Sequence, residues 1–217
     1  MPAGLQVFND DNVLQIDEGT RNYELKQSGS GTCNTSESSG GRTRYYTTIA
    51  VTSSVAPMMA LGNCANNVCL YRVSVSGSTW TFVIVSDTNG ATFDYWVFDV
   101  AASSPATFGL EVYTAAGDLS FHSVLKPLRI VGVGGGTYPS GRTYAVIMTS
   151  NGFYESVIDL EFGPNPYQTL KTLAAVQVAS NVVTESGFIF ESFLSPTGTP
   201  GEYTSPVQFV VVDVTHF

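Results

Sequence analysis

Clustered carboxylates are the side chains whose spacing comes closest to an enzymatic pattern in this sequence. Glu155, Asp159 and Glu161 lie in one short segment, and a pair of carboxylates is the usual catalyst of glycoside hydrolysis. In an extended segment, Asp159 and Glu161 would lie on one strand face, about 7 Å apart. The carboxylates also alternate with Ile158 and Leu160, as polar residues do on the solvent-facing side of a half-buried strand. We favour this second interpretation.

Nucleophilic catalysis has equally little support. His122 and His216 are the only histidines, and His122 lies between Ser120 and Ser123. A Ser-His-Asp triad also needs an acid and an oxyanion hole, and nothing in the sequence places either beside His122. The motifs G-x-S-x-G and H-E-x-x-H do not occur. We therefore predict that His122 is a solvent-facing strand residue and that the chain is not an enzyme.

Neither a phosphate loop nor a metal site is predicted, and no cofactor is expected. The segment 132–137 is rich in glycine, but it lacks the Lys-Ser/Thr of a phosphate loop and precedes a strand pattern instead of a helix. It is predicted to form a wide turn. Cys33, Cys64 and Cys69 would need a distant histidine to complete a zinc site, so we interpret them as mostly free thiols. A disulfide between Cys64 and Cys69 stays open at this stage.

Aromatic side chains are the remaining candidates for a binding site. We select Tyr45, Tyr46, Trp96 and Tyr138, because exposed aromatics stack on sugar rings and anchor protein interfaces. In the alternating segment 93–97, Trp96 falls on the strand face opposite to that of its apolar neighbours. That face is either available to a partner or covered by a neighbouring domain. For most aromatics of the chain, packing in the core is the simpler role.

These side chains have to be positioned by β-strands, because polar and apolar residues alternate along most of the chain. Strand patterns recur between turn signals such as Asn89-Gly90 and Asn151-Gly152. The segment 168–180 fits either a short helix or a strand. The segment 27–41 has almost no apolar residues, which predicts a long exposed loop or a flexible arm. The pattern as a whole is typical of antiparallel sandwiches and barrels.

The chain also repeats itself. Residues 4–16 return without a gap as residues 109–121, and two shorter blocks recur in the same order. This self-similarity predicts an all-β fold of two tandem antiparallel β-sandwich-like domains produced by an internal duplication, residues 1–105 and residues 106–217. Chance similarity among strands rich in Val, Gly and Thr is the alternative. The shorter blocks are Gly41-Arg42-Thr43 with Gly141-Arg142-Thr143, and Val97–Val100 with Val211–Val214.

Composition narrows the classes of partner. The formal net charge is −9 and only 12% of residues are charged, well below the usual level of about 25%. An acidic chain without a basic stripe is not expected to bind nucleic acid. The first residues lack a secretion signal, and no stretch approaches the roughly 20 apolar residues of a membrane span, so no membrane insertion is expected. A polar surface with little charge suits a protein packed against other subunits or exposed outside a cell.

Three stretches of the sequence carry a family resemblance. GLQVFNDDNVLQID at 4–17, YWVFDV at 95–100 and GLEVYTAAGDLSFHSVLKPLRIV at 109–131 resemble small virion proteins of the tails of long-tailed bacteriophages. The resemblance implies a non-enzymatic part of the tail tip, baseplate or fibre. The protein would be made in the host cytoplasm and assembled into the virion.

The partners expected from this resemblance are other phage tail proteins and further copies of the same chain, since closed rings are usual in tail organs. A host surface receptor or glycan is a further expected partner if the protein contributes to attachment. The alternative function is that of a lectin-like carbohydrate-binding β-sandwich module, in which the selected aromatics would hold a sugar.

Overall fold

A computed structural model describes residues 6–8, 14–17, 22–100, 108–161 and 163–217. The described residues contain no helix, which confirms the all-β prediction and resolves segment 168–180 as a strand. The strands are β1 (Gln6–Phe8), β2 (Leu14–Asp17), β3 (Tyr23–Cys33), β4 (Thr35–Ser39), β5 (Arg42–Thr52), β6 (Met58–Gly62), β7 (Cys64–Ser76), β8 (Thr79–Ser86), β9 (Ala91–Val100), β10 (Glu111–Tyr113), β11 (Leu119–His122), β12 (Ile130–Val133), β13 (Gly136–Thr137), β14 (Tyr144–Ser150), β15 (Phe153–Asp159), β16 (Tyr167–Ala179), β17 (Val182–Ser195), β18 (Gly201–Ser205) and β19 (Gln208–Asp213).

Two large antiparallel sheets form the body of the fold. The six-stranded sheet has the order β12-β19-β14-β6-β9-β3, and the nine-stranded sheet has the order β13-β17-β16-β7-β8-β5-β4. The remaining strands of the nine-stranded sheet, β15 and β18, extend sideways from β16. Two separate hairpins, β1-β2 and β10-β11, complete the described strands.

The two halves of the chain contribute their strands in the same order. In the six-stranded sheet, β3, β9 and β6 run from one edge to the centre, and β12, β19 and β14 do the same from the other edge. In the nine-stranded sheet, β5, β8 and β7 are matched in the same way by β13, β17 and β16. The inner strands of the two halves then pair directly, β6 with β14 and β7 with β16.

The two hairpins have the same register. Gln6 pairs with Asp17 and Phe8 with Leu14 in the first, and the corresponding pairs of the second lie exactly 105 positions later. Each hairpin has one irregularity in register, before its last pair. This correspondence is what a duplication would produce, and the duplication itself stays a prediction.

The structure bears on two features from which two separate domains were predicted, namely the division of the chain into halves and the repeated Gly-Arg-Thr block. Each large sheet is continuous across both halves of the chain, and one hydrophobic core contains residues of both. The predicted domain boundary near residue 105 lies outside the described residues. The Gly41-Arg42-Thr43 block leads into β5, whereas Gly141-Arg142-Thr143 leads into β14 of the other sheet. These two blocks are therefore not structurally equivalent.

Two apolar layers stabilise the sheets. The larger core contains Val97 and Val146 of the six-stranded sheet together with Phe82, Ile84 and Val176 of the nine-stranded sheet. The smaller cluster lies on the opposite side of the six-stranded sheet, and Leu128 and Phe217 pack against it. Its buried members are Ala60, Trp96, Phe98, Ala145, Ile147, Val212 and Val214.

The segment 27–41 is not the predicted loop, because most of it belongs to β3 and β4. Gly29 is paired with Tyr95 and Gly31 with Phe93. A Cβ atom at Gly31 would lie 2.4 Å from the Phe93 ring, and one at Gly29 would lie 2.8 Å from the Tyr95 hydroxyl. The glycines thus leave room for two aromatic rings to cover the strand, so that β3 forms with few apolar residues of its own.

Candidate functional site

The carboxylates of segment 155–161 do not form the pair that an extended strand would give. Strand β15 ends at Asp159, and Glu161 has a positive φ of 62°. The Glu161 N–H donates a hydrogen bond of 2.8 Å to Asp159 Oδ1, closing a local turn. Glu155 instead points to Lys171, with 3.9 Å between the charged atoms. The segment is not extended as far as Glu161, so Asp159 and Glu161 do not share a strand face.

His122 is buried, contrary to the prediction that it faces solvent. Its Nδ1 accepts a hydrogen bond of 3.0 Å from the Val124 N–H, which leaves the proton on Nε2. Nε2 lies 3.4 Å from Glu111 Oε1 on the paired strand. Both ring nitrogens thus face groups of the same hairpin and its turn, which is a structural role for the imidazole.

Of the four selected aromatics, Trp96 packs inside the fold and Tyr138 is partly buried against the larger core. Trp96 does lie on the face opposite to Val97, as predicted, but only 7% of it is exposed within the smaller apolar cluster. It is not available to a sugar or a protein partner. Tyr138 donates a hydrogen bond of 2.9 Å to the Gly134 carbonyl and closes the glycine-rich turn. A Cβ atom at Gly132 would lie 2.7 Å from the Tyr138 ring, which explains the glycine at that position.

Tyr45 and Tyr46 are neighbours on β5 and therefore point to opposite faces of the sheet. Tyr45 is paired with Ser86, whereas Tyr46 is paired with Val85 and lines an open cavity of about 280 Å³. Of the four selected aromatics, only Tyr46 lines this cavity. Sequence reasoning missed the residues around it.

A second cavity, of about 320 Å³, shares Tyr71 with the first. We call the two cavities together the aromatic groove. The Tyr71 and Phe190 rings lie 5.0 Å apart, and the Arg44 guanidinium lies 3.9 Å from the centre of the Phe190 ring, within the range of a cation–π contact. The other principal lining residues are Glu37, Tyr46, Arg72, Phe153, Glu155 and Lys171.

Charges alternate along the groove. Arg44 contacts Glu37 at 3.2 Å and Glu191 at 3.9 Å, and Lys171 contacts Glu191 at 3.7 Å and Glu155 at 3.9 Å. Arg44 is largely buried, although Thr43 before it on the strand is exposed. The groove therefore offers aromatic faces next to charged hydrogen-bonding groups, which is the combination that holds a polar ligand with apolar surfaces.

Curling of the nine-stranded sheet brings these residues together. The Ser192 N–H donates a hydrogen bond of 2.7 Å to the Gly40 carbonyl, joining β17 to the turn between β4 and β5. Register irregularities in β7 and between β16 and β17 fall at Tyr71 and Phe190. A bulge redirects a side chain in a way that strict alternation does not predict. The sequence gives no signal for either.

Metal-binding and membrane-spanning features are absent from the part of the chain that the structure describes. Within it, no three His, Cys, Asp or Glu side chains cluster closely enough to hold a metal ion, and no helix has the length and apolarity of a membrane span. Cys33, Cys64 and Cys69 are free and buried. Burial raises the pKa of Cys33 and Cys69 to about 12 and that of Cys64 to about 11.

Comparison of the chain with protein-family models, with curated protein sequences and with solved structures gives no match.

Proposed function

We propose that this chain is a structural component of a bacteriophage tail, in the tail tip, baseplate or fibre, where it packs against copies of itself and other tail proteins. The sequence resemblance described above suggests the setting. One structural observation carries the proposal, namely the apolar surface of one part of the nine-stranded sheet. In this part, which we call the blade, β17, β16, β15 and β18 lie side by side.

The blade exposes large apolar side chains on both faces. Leu194 and Ile158 share one face because both are paired with Gln168, and Phe193 lies on the other because it is adjacent to Leu194. Exposure is 56% for Leu194, 40% for Ile158 and 41% for Phe193. The sheet of a soluble monomer usually buries one apolar face and solvates a polar one. Apolar side chains exposed on both faces instead favour a surface that other subunits cover.

The free edge of the blade supports the same conclusion. Among the described strands, β18 pairs only with β15, so its other edge offers unpaired backbone groups. Phe153 and Tyr203, on neighbouring strands at this edge, are 48% and 58% exposed. An edge strand of this kind is a template for pairing with another chain. A neighbouring subunit that adds a strand here would satisfy the backbone and cover the aromatics.

Self-association of the purified chain tests this proposal. We expect oligomers in light scattering coupled to size-exclusion chromatography, and we expect Leu194→Asp to shift them towards monomer. Val75→Asp is the matched control, because Val75 is 55% exposed on β7, outside the blade. A monomeric wild-type chain, or equal effects of the two variants, would count against assembly through the blade.

The setting needs a second test. Virus particles produced from the genome that encodes this chain should contain it at a fixed ratio to the major tail protein, as measured by quantitative mass spectrometry after gradient purification. Absence from the particles would reject the tail assignment, whatever the oligomeric state.

A lectin-like module is the second candidate, and the aromatic groove favours it. Its Tyr46 and Tyr71 rings stand beside carboxylate and guanidinium groups, the pairing of stacking faces with hydrogen bonds that sugar binding uses. Binding to a glycan array by the isolated chain tests this function. We expect Tyr71→Ala to abolish binding and Tyr113→Ala, an exposed tyrosine of the β10-β11 hairpin, to leave it unchanged. No binding of any glycan would reject the lectin function.

A further inference from the structure

A cavity of about 450 Å³ lies at the end of β3 and β9, remote in sequence from the strands of the blade. Two carboxylic acids line it, Glu24 of β3 and Asp99 of β9, and these residues are directly paired across the two strands. Lys26 also lines the cavity and forms an ion pair with Asp99. Hydroxyl groups complete the polar lining, from Thr52, Ser54 and Ser78.

Glu24 is the unusual member of this set. Only 2% of the residue is exposed, and among the described residues no hydrogen bond of normal length and angle reaches either carboxyl oxygen, which leaves only a weaker interaction with the His122 backbone N–H. Burial raises the pKa of Glu24 to about 7, and the nearby His122 backbone N–H offsets only part of that rise. A buried carboxyl group without a partner costs free energy. Glu24 lines the cavity although its two carboxyl oxygens are closed to water, so a ligand that satisfies them has to draw the side chain towards the cavity.

The second half of the chain provides an internal comparison. Asp213 of β19 holds the place that Asp99 holds in β9, and the Asp213 N–H donates a hydrogen bond of 2.9 Å to the Arg129 carbonyl. The Arg129 side chain lies 3.6 Å from the Asp213 carboxylate. In the second half Arg129 thus lies beside the buried Asp213, and in the first half Glu24 occupies the corresponding position beside Asp99. Among the residues that line the cavity there are two acids and one cation, and this cation, Lys26, is paired with Asp99 and not with Glu24.

We propose that this cavity binds a small organic cation, with an ammonium group on the Glu24 carboxylate and hydroxyl groups directed to the serine and threonine side chains. An ammonium group supplies both the missing positive charge and the N–H donors that the two carboxyl oxygens lack. The cavity volume falls in the range of small-molecule sites and exceeds what a bare ion would fill. An anion would face two acids, and a neutral polyol would leave the charge of Glu24 unbalanced.

Proton linkage follows from this arrangement. The ligand binds the ionised form of Glu24, so each unit of pH below the folded pKa of about 7 should weaken binding about tenfold. The other ionisable groups near Glu24 are Asp99, Lys26, His122 and Lys126. His122 belongs to the β10-β11 hairpin, and Lys126 belongs to the segment that pairs with β3. Binding below neutral pH should therefore release a proton from Glu24.

Serinol and glycerol are suitable probes, because they differ by an ammonium group in place of one hydroxyl. Titration followed by NMR chemical shifts should give serinol binding at about pH 8, at least about tenfold tighter than glycerol binding. Glu24→Gln should reduce serinol binding to the level of glycerol. Glu185→Gln, at an exposed position of β17, is the matched control and should bind serinol as the wild type does.

Three results would overturn the proposal. One is that serinol and glycerol bind equally well, or that neither of them binds. Another is unchanged serinol binding by Glu24→Gln. The third is a response to calcium chloride alone that Glu24→Gln removes, because the site would then belong to a metal ion. Glutamine matches glutamate in shape, so Glu24→Gln is expected to fold, and its unfolding curve provides the check.

Discussion

Replacing Glu24 by glutamine should make the ligand-free protein more stable at neutral and alkaline pH. The unfolded chain releases the Glu24 proton near the ordinary pKa of 4.5, whereas the folded chain holds it until about pH 7. A raised carboxyl pKa means that stability is lost as pH rises through this window. The shift corresponds to about 3 kcal/mol at 1.36 kcal/mol per pKa unit, and glutamine does not ionise.

Urea unfolding of the wild type and of Glu24→Gln at about pH 4.5 and about pH 8 measures this difference. The two proteins should have similar free energies of unfolding at the lower pH. At the higher pH the variant should be more stable by up to about 3 kcal/mol. Glu185→Gln serves again as the control, since its exposed side chain should change stability by no more than about 0.5 kcal/mol.

A destabilising effect of Glu24→Gln at alkaline pH would refute the reasoning. It would mean that the ionised carboxylate has favourable partners in the folded state, and neither the cavity nor the internal comparison with Arg129 would then indicate a missing cation. An effect of the same size at both pH values would also refute it, because ionisation would not be the cause.

Three other predictions concern separate parts of the fold. Leu194→Asp should leave the free energy of unfolding within about 0.5 kcal/mol of the wild type, measured in urea under monomeric conditions, because Leu194 is already exposed. Asp213→Asn should cost about 2 kcal/mol in the same assay at neutral pH. Burial alone would raise the pKa of Asp213, but hydrogen bonds from its surroundings outweigh this effect and lower the pKa. The stabilisation is therefore lost as pH falls, and the free energies of unfolding of the two proteins should converge in acid. Cys33, Cys64 and Cys69 should react with a thiol reagent only after denaturation, because all three are buried and free; rapid reaction of the folded protein would contradict their placement.

The fold class was predictable because alternation records which strand face is buried. In β9 the side chains of Phe93 and Val97 pack in the larger core, and the packing of Trp96 on the opposite side followed from the alternation. What alternation could not say is whether a second layer covers the outer face. Trp96 lies under such a layer, so its selection as a binding residue was wrong although its direction was right.

The sites were harder to predict because they depend on departures from alternation. Bulges direct Tyr71 and Phe190 into the aromatic groove, and only the curl of the sheet brings Arg44 to them. Glu24 stands between Tyr23 and Leu25, the pattern of an outward polar residue, yet it is buried. Its burial depends on a strand pairing with β9, which is distant in sequence.

The most direct test of the proposed tail role is a cryo-electron microscopy map of the virus particle in which this role would place the chain. We predict several copies arranged about the tail axis, with Phe193 and Leu194 of each copy covered by a neighbouring subunit. A particle without the chain, or a chain whose blade faces solvent on both sides, would contradict the proposed function.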